Sequence, residues 1–146
     1  MMQRYLMLTI VFLLAADSPE TAKQEKERMQ GTWRVEQARR GGKKEPALDK
    51  ATVTIDGDDF ISRAGDTVLT RGTLTIDGTK NPKTIDLLYT EGDQKGKQMR
   101  GIYNLKGATW ALLFSDIGEE RPTSLEKEAE KGYLSLILKA VKTESK

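Results

Sequence analysis

The chain contains no cysteine and no histidine. The first absence excludes disulfides, thiolate metal sites, thiol chemistry and acyl-cysteine lipid attachment. The second removes the usual general base, the commonest metal ligand and the side chain that changes charge near neutral pH. A Ser-His-Asp or Cys-His catalytic arrangement is impossible here, and so is a His-containing zinc site. Aromatic residues are scarce, 6% of 146 residues, with two Trp and four Tyr. An excess of one charge is lacking as well: 24 Lys plus Arg stand against 22 Asp plus Glu, a net charge of +2. That near balance gives no basic field for nucleic acid and no acidic tail.

What is present is one domain's length of chain, 32% of it charged, enough for a single hydrophobic core. Its longest apolar run is Tyr5–Leu14, preceded by Arg4 and followed by Ala15-Ala16. Such a run, about 15 Å long as a helix, is short for a hydrocarbon core of roughly 30 Å. Residues 1–16 therefore read as a secretory signal peptide, with an uncleaved anchor as the alternative, and the protein is expected to be exported to the periplasm or beyond. Residues 17–30 read as a polar helix, with Ser18 as N-cap, Pro19 in the first turn and a thin apolar face of Ala22 and Met29. The pairs Lys23–Glu27 and Gln24–Arg28 are four apart on its surface. Gly31 is placed to end this helix, since glycine enters the left-handed region without a Cβ penalty.

From Gly31 the pattern becomes β. Strands are expected over 32–40, 51–56, 59–64, 67–77, 84–90, 97–105, 108–115 and 133–142. Trp33, Val35 and Gln37 fall on one face of the first, Val53 and Ile55 on one face of the second. Leu74 and Ile76, then Ile85, Leu87 and Tyr89, alternate with polar residues in the manner of half-buried antiparallel strands. Gly-containing turns such as Asp56-Gly57, Gly65-Asp66 and Lys106-Gly107 separate the runs. Eight short strands behind one helix predict an all-β fold, a closed antiparallel eight-stranded barrel spanning residues 31–142, with a β-sandwich as the competing architecture. The last strand carries Leu134, Leu136 and Leu138 on one face and is expected to pair with the first. Residues 116–132 form the one long connection, either a lid or a solvated excursion, with a helical turn around 124–131. Residues 143–146 are a tail.

The chemistry-bearing motifs are weak. Asp56-Gly57-Asp58-Asp59 lacks the ligand spacing and closing Glu of a calcium loop and reads as a hairpin turn. Gly92 to Lys97 is one residue short of a phosphate loop and precedes a strand, not a helix. Glu119, Glu120, Glu126, Glu128 and Glu130 share a segment with Arg121, Lys127 and Lys131 and read as solvated surface. No catalytic residue, metal site or cofactor is expected. If the barrel is hollow, Trp33, Tyr89, Tyr103 and Trp110 are the candidates to line a ligand pocket. If it is filled, they are core.

A wider pattern is carried by Gln30-Gly31-Thr32-Trp33, Gly72-Thr73, Asn81-Pro82-Lys83-Thr84-Ile85-Asp86-Leu87, Glu91-Gly92, Lys95-Gly96-Lys97, Gly101-Ile102-Tyr103-Asn104-Leu105 and Glu120-Arg121-Pro122-Thr123. In this order, across roughly residues 28–139, the chain resembles a paralogous domain family abundant in planctomycete bacteria, one without an assigned activity. The family is similar to lipocalin-like barrels, and the helix followed by Gly31-Thr32-Trp33 resembles the lipocalin opening. The resemblance implies a barrel end built on Gly31 and Trp33. In lipocalins a basic residue near the end of the last strand packs across that Trp, which here points to Lys139 or Lys142, with Arg121 as a substitute cover. The expected function is non-catalytic binding of a small apolar or amphipathic ligand by a monomer. The alternative is a solid-core domain of the cell envelope acting on a partner protein through its loops.

Overall fold

The structure, a computed structural model, describes residues 21–127 and 132–142. The signal segment 1–16, Ser18, Pro19, residues 128–131 and the tail 143–146 lie outside the described residues.

Helix α1 (Ala22–Met29) is capped by Thr21. Thr21 and Gln24 form a reciprocal capping box, which satisfies two amide donors of the first turn. The helix ends at Gln30, and Gly31 follows at φ +104°, a conformation that a Cβ would strain. The Gln30 side chain then bonds both the N–H (2.7 Å) and the C=O (3.1 Å) of Gly57, tying the helix end to a hairpin turn. Ala22 is exposed; the buried face is Met29 together with Glu25.

Nine strands follow: β1 (Gly31–Arg40), β2 (Lys43–Lys44), β3 (Thr52–Asp56), β4 (Asp59–Ala64), β5 (Thr67–Asp77), β6 (Lys83–Tyr89), β7 (Gln98–Lys106), β8 (Thr109–Phe114) and β9 (Leu134–Ala140). All pairings are antiparallel, and β9 pairs with β1, so eight strands close into a lipocalin-like barrel. β2 is a two-residue ribbon on the end of β1, absent from the expected set. Closure leaves the eight strands without a free edge. Inside are Val35, Ile55, Leu74, Ile85, Leu112 and Leu138, all buried. Outward positions such as Arg34, Glu36, Arg71 and Arg100 are exposed.

One register shift matters for the interior. Between Val35 and Gln37 the pairing of β1 with β9 slips, a β-bulge. Gln37 pairs with Ile137 and turns outward, whereas Ala38 is buried and Arg40 comes to the rim of the barrel cavity. The expected inward face of Trp33, Val35 and Gln37 is thus interrupted. A bulge adds one residue to a strand and so reverses which face later side chains take.

The connection after β8 lies against the outside of the barrel. Leu125, in a single 3-10 turn (Leu125–Lys127), packs on a satellite cluster of Ile102, Leu113 and Tyr133. Pro122 is fully buried there. Arg121 Nη1 donates to the Gly101 carbonyl at 2.8 Å and meets Asp86 Oδ1 at 2.7 Å. This segment therefore covers the flank of β6 to β8.

Candidate functional site

One end of the barrel is sealed. Trp33 Nε1 donates to the Met29 carbonyl at 2.8 Å, which locks the first strand to the helix. The Trp110 ring stands edge-on to Trp33 at 5.2 Å, and Tyr103 stands edge-on to Trp110 at 6.3 Å. Edge-to-face contact sets the positive rim of one ring against the negative face of the next. Glu25 descends from α1 onto this layer, accepts the Tyr103 hydroxyl and pairs with Lys83 Nζ at 2.7 Å. Its side chain is 4% exposed, so each of these partners offsets part of the cost of burying a carboxylate.

Beyond this floor lies a cavity of about 290 Å³. Its wall is aliphatic, with Ile55, Leu74, Leu87, Leu112, Leu136 and Leu138 among the contributors. Phe60 and Tyr89 meet edge-on at 6.2 Å across Gly72, where an added Cβ would sit on the Leu88 carbonyl and 2.7 Å from the Phe60 ring. Glycine at this position is what lets Phe60 fold inward. The rim opposite α1 supplies the polar atoms: Arg40, Glu45, Ser62, Thr70 and Tyr89. The 3-10 turn Pro46–Leu48 lies over the same rim, with Ala47 and Leu48 on the cavity.

These polar groups differ in how far they are satisfied. Arg40 Nε bonds Glu45 at 3.2 Å while its Nη1 bonds Asp116 at 3.1 Å. Ser62 and Thr70 share a hydroxyl hydrogen bond of 2.5 Å. Among the described residues the Tyr89 hydroxyl reaches only the Met99 thioether, at 3.6 Å, a weak acceptor. Burial raises the Tyr89 phenol above its ordinary pKa, partly countered by the positive charge of Arg40, so at neutral pH it is an O–H donor. Among the described residues the Trp110 Nε1–H has no acceptor. The other displaced titrations are outside the barrel: Arg34 holds Glu36 low by a hydrogen bond, and Thr79 holds Asp77 low in the same way.

Of the four aromatics expected around a ligand, Tyr89 and Trp110 line the cavity. Trp33 and Tyr103 do not; each is 2% exposed and belongs to the sealed floor. Gly31 and Trp33 lie next to α1 at the sealed end. Arg121 is no cover for Trp33: its bonds are to β6 and β7 on the outer flank, because the preceding connection runs there. Lys139 and Lys142 are exposed, and Lys139 pairs in register with the outward Arg34. Trp110 takes the place beside Trp33 that a basic side chain was expected to fill. Sequence reasoning passed over Arg40, Glu45, Ser62 and Thr70. The Arg40 position depends on the bulge, which no residue type marks. Ser62 and Thr70, however, alternate with Phe60 and Gly72 in a visible period of two.

The sealed end, the apolar cavity and the polar rim define a lipocalin-like barrel with an internal cavity. No family profile, curated protein or solved structure matches the chain. Among the described residues no helix is long and apolar enough to cross a membrane.

Proposed function

We propose that this is an exported member of the planctomycete domain family it resembles, and that it holds a small apolar or amphipathic molecule in the barrel without transforming it. The single observation that carries this reading is the apolar cavity, closed by α1 and the Trp33–Trp110 layer and open toward Arg40 and Tyr89. Binding sites for small molecules are of this kind, mostly apolar with a few placed polar groups. A solid-core envelope domain acting through its loops is the lesser reading, because a filled core would leave Leu74, Leu112 and Leu138 without a shared void. A non-catalytic role fits a rim whose Arg40, Glu45, Ser62 and Thr70 bond within their own set or to Asp116.

Native mass spectrometry of the protein, purified gently from its own host, tests the proposal. The expected result is a reproducible added mass that is lost on denaturation. A clean apo mass, even after incubation with envelope lipid extract, overturns it in favour of the interaction domain.

A further inference from the structure

The cavity sets a size and the rim sets a head-group chemistry, and together they narrow the ligand. A water-sized group occupies about 30 Å³ of liquid volume. By that measure the space of about 290 Å³ takes on the order of ten non-hydrogen groups. That is the part of a ligand the barrel holds, a single ring with a short substituent or about eight carbons of a chain; anything longer projects through the open rim.

The head group is the sharper question. The guanidinium at the rim is already held by two carboxylates, Glu45 at 3.2 Å and Asp116 at 3.1 Å. Both partners are negative, so an anionic ligand taking up the remaining guanidinium N–H groups would sit beside two carboxylates that already neutralise Arg40. The unspent capacity lies elsewhere. Tyr89 places a neutral O–H on the cavity wall, where among the described residues a thioether at 3.6 Å is its one acceptor. One step nearer the rim on the adjoining strands, the Ser62–Thr70 pair retains a hydroxyl hydrogen and free lone pairs. One oxygen that both accepts and donates would satisfy these groups.

We infer that the barrel is built for a compact neutral amphiphile, an alcohol or a comparable uncharged oxygen compound, whose oxygen accepts the Tyr89 hydrogen bond while its hydrocarbon body fills the space beneath. This rests on the reading of the cavity as a ligand site. Tyr89 is the specificity-determining residue; Arg40 is a strut between Glu45 and Asp116 and not an anion receptor.

Calorimetric titration with octan-1-ol, octanoate and octane separates these statements. Octan-1-ol is expected to bind about three- to tenfold more tightly than octane, the worth of one neutral hydrogen bond, and octanoate more weakly than octan-1-ol. Tyr89→Phe keeps the ring and removes the hydroxyl. It is expected to abolish the preference for octan-1-ol over octane while octane affinity stays within about twofold. Trp emission matching that of the parent shows that the variant is folded. Octanoate binding as tightly as octan-1-ol, or an unchanged preference in Tyr89→Phe, overturns the head-group inference and leaves the cavity reading standing. Absence of binding by all three probes overturns both.

Discussion

Tyr103 on β7 donates its phenolic hydrogen to Glu25 on α1, a residue 78 positions earlier in the chain. Lys83 meets the same carboxylate at 2.7 Å. One acidic side chain therefore joins the helix to two strands that are remote in sequence, and it does so at the end of the barrel that the helix closes. Met29 is the one other buried residue of helix α1, and its carbonyl and the Gln30 side chain are the further ties of the helix to the barrel.

Replacing Glu25 is accordingly costly. Glu25→Ala leaves the buried Tyr103 hydroxyl without its acceptor and Lys83 without its counter-ion, and is expected to destabilise the fold by about 2–3 kcal/mol. Lys83 is 34% exposed in its side chain, so water takes up part of the loss and the upper end of that range is not exceeded. Urea unfolding measures the cost as a lower midpoint at unchanged slope. A midpoint equal to that of the parent would show that the pin carries no stability.

Arg121→Ala tests the flank of the barrel. It removes the donor to the Gly101 carbonyl and the partner of Asp86, both less than one-third exposed with Arg121 itself at 29%. The expected loss is about 1–2 kcal/mol. Trp emission should stay unchanged, because both indoles lie on the inner side of the wall. A shifted emission would place Arg121 against the aromatic floor after all.

Gly72→Ala asks whether the Phe60–Tyr89 contact depends on a missing side chain. The new methyl would meet the Leu88 carbonyl and lie 2.7 Å from Phe60 Cε1. Backbone cannot yield as a flexible side-chain tip can, so a loss of about 3 kcal/mol or more is expected. Thermal unfolding by circular dichroism reads it, and a melting temperature within a degree or so of the parent would contradict the packing described here.

The strands were legible because their information is local. Alternation through Leu74, Ile76, Ile85, Leu87 and Tyr89 survives in the fold, and the Gly turns that separate the runs stand where they were expected. Closure was legible in β9, whose Leu134, Leu136 and Leu138 needed an interior to enter. The β1 bulge was not legible, since one inserted residue reverses inward and outward without any compositional mark. The burial of Glu25 was equally hidden. A Glu in a highly charged helix reads as surface until its partners, 58 and 78 positions away, are placed beside it. Arg121 was misassigned for the complementary reason: where the 116–127 connection runs is decided by Pro122 and Leu125 finding the outside of β7 and β8.

Tyr89 predicts an alkaline limit to stability. Burial raises its pKa above the ordinary value of 10.0, so the folded state keeps the phenolic proton when the unfolded chain has begun to lose it. Over that interval the unfolded state binds fewer protons, and stability falls as pH rises. The contribution is complete below about pH 10 and is lost as pH climbs through the folded value. Tyr89→Phe has no proton to lose at this position. Urea midpoints compared at about pH 9 and about pH 11 should therefore fall further in the parent than in the variant. An equal fall in both would remove Tyr89 from the account.

The two tryptophans report on different parts of the molecule. Trp110 lines the cavity, whereas Trp33 is fixed to the Met29 carbonyl in the floor beneath it. Since the chain has only these two, each single replacement leaves one reporter. Trp33→Phe loses a buried hydrogen bond and part of an aromatic contact and is expected to cost about 1–2 kcal/mol, while Trp110 remains beside any ligand. Its emission should then change on titration with octan-1-ol much as the parent's does. Trp110→Phe keeps Trp33 beneath the cavity floor and out of direct contact, so most of the response should vanish even where calorimetry still detects binding. The reverse pattern, with the response surviving in Trp110→Phe and lost in Trp33→Phe, would put the ligand at the helix-covered end. That outcome would require α1 to move, because Met29 and Trp33 leave no room there while the helix is seated.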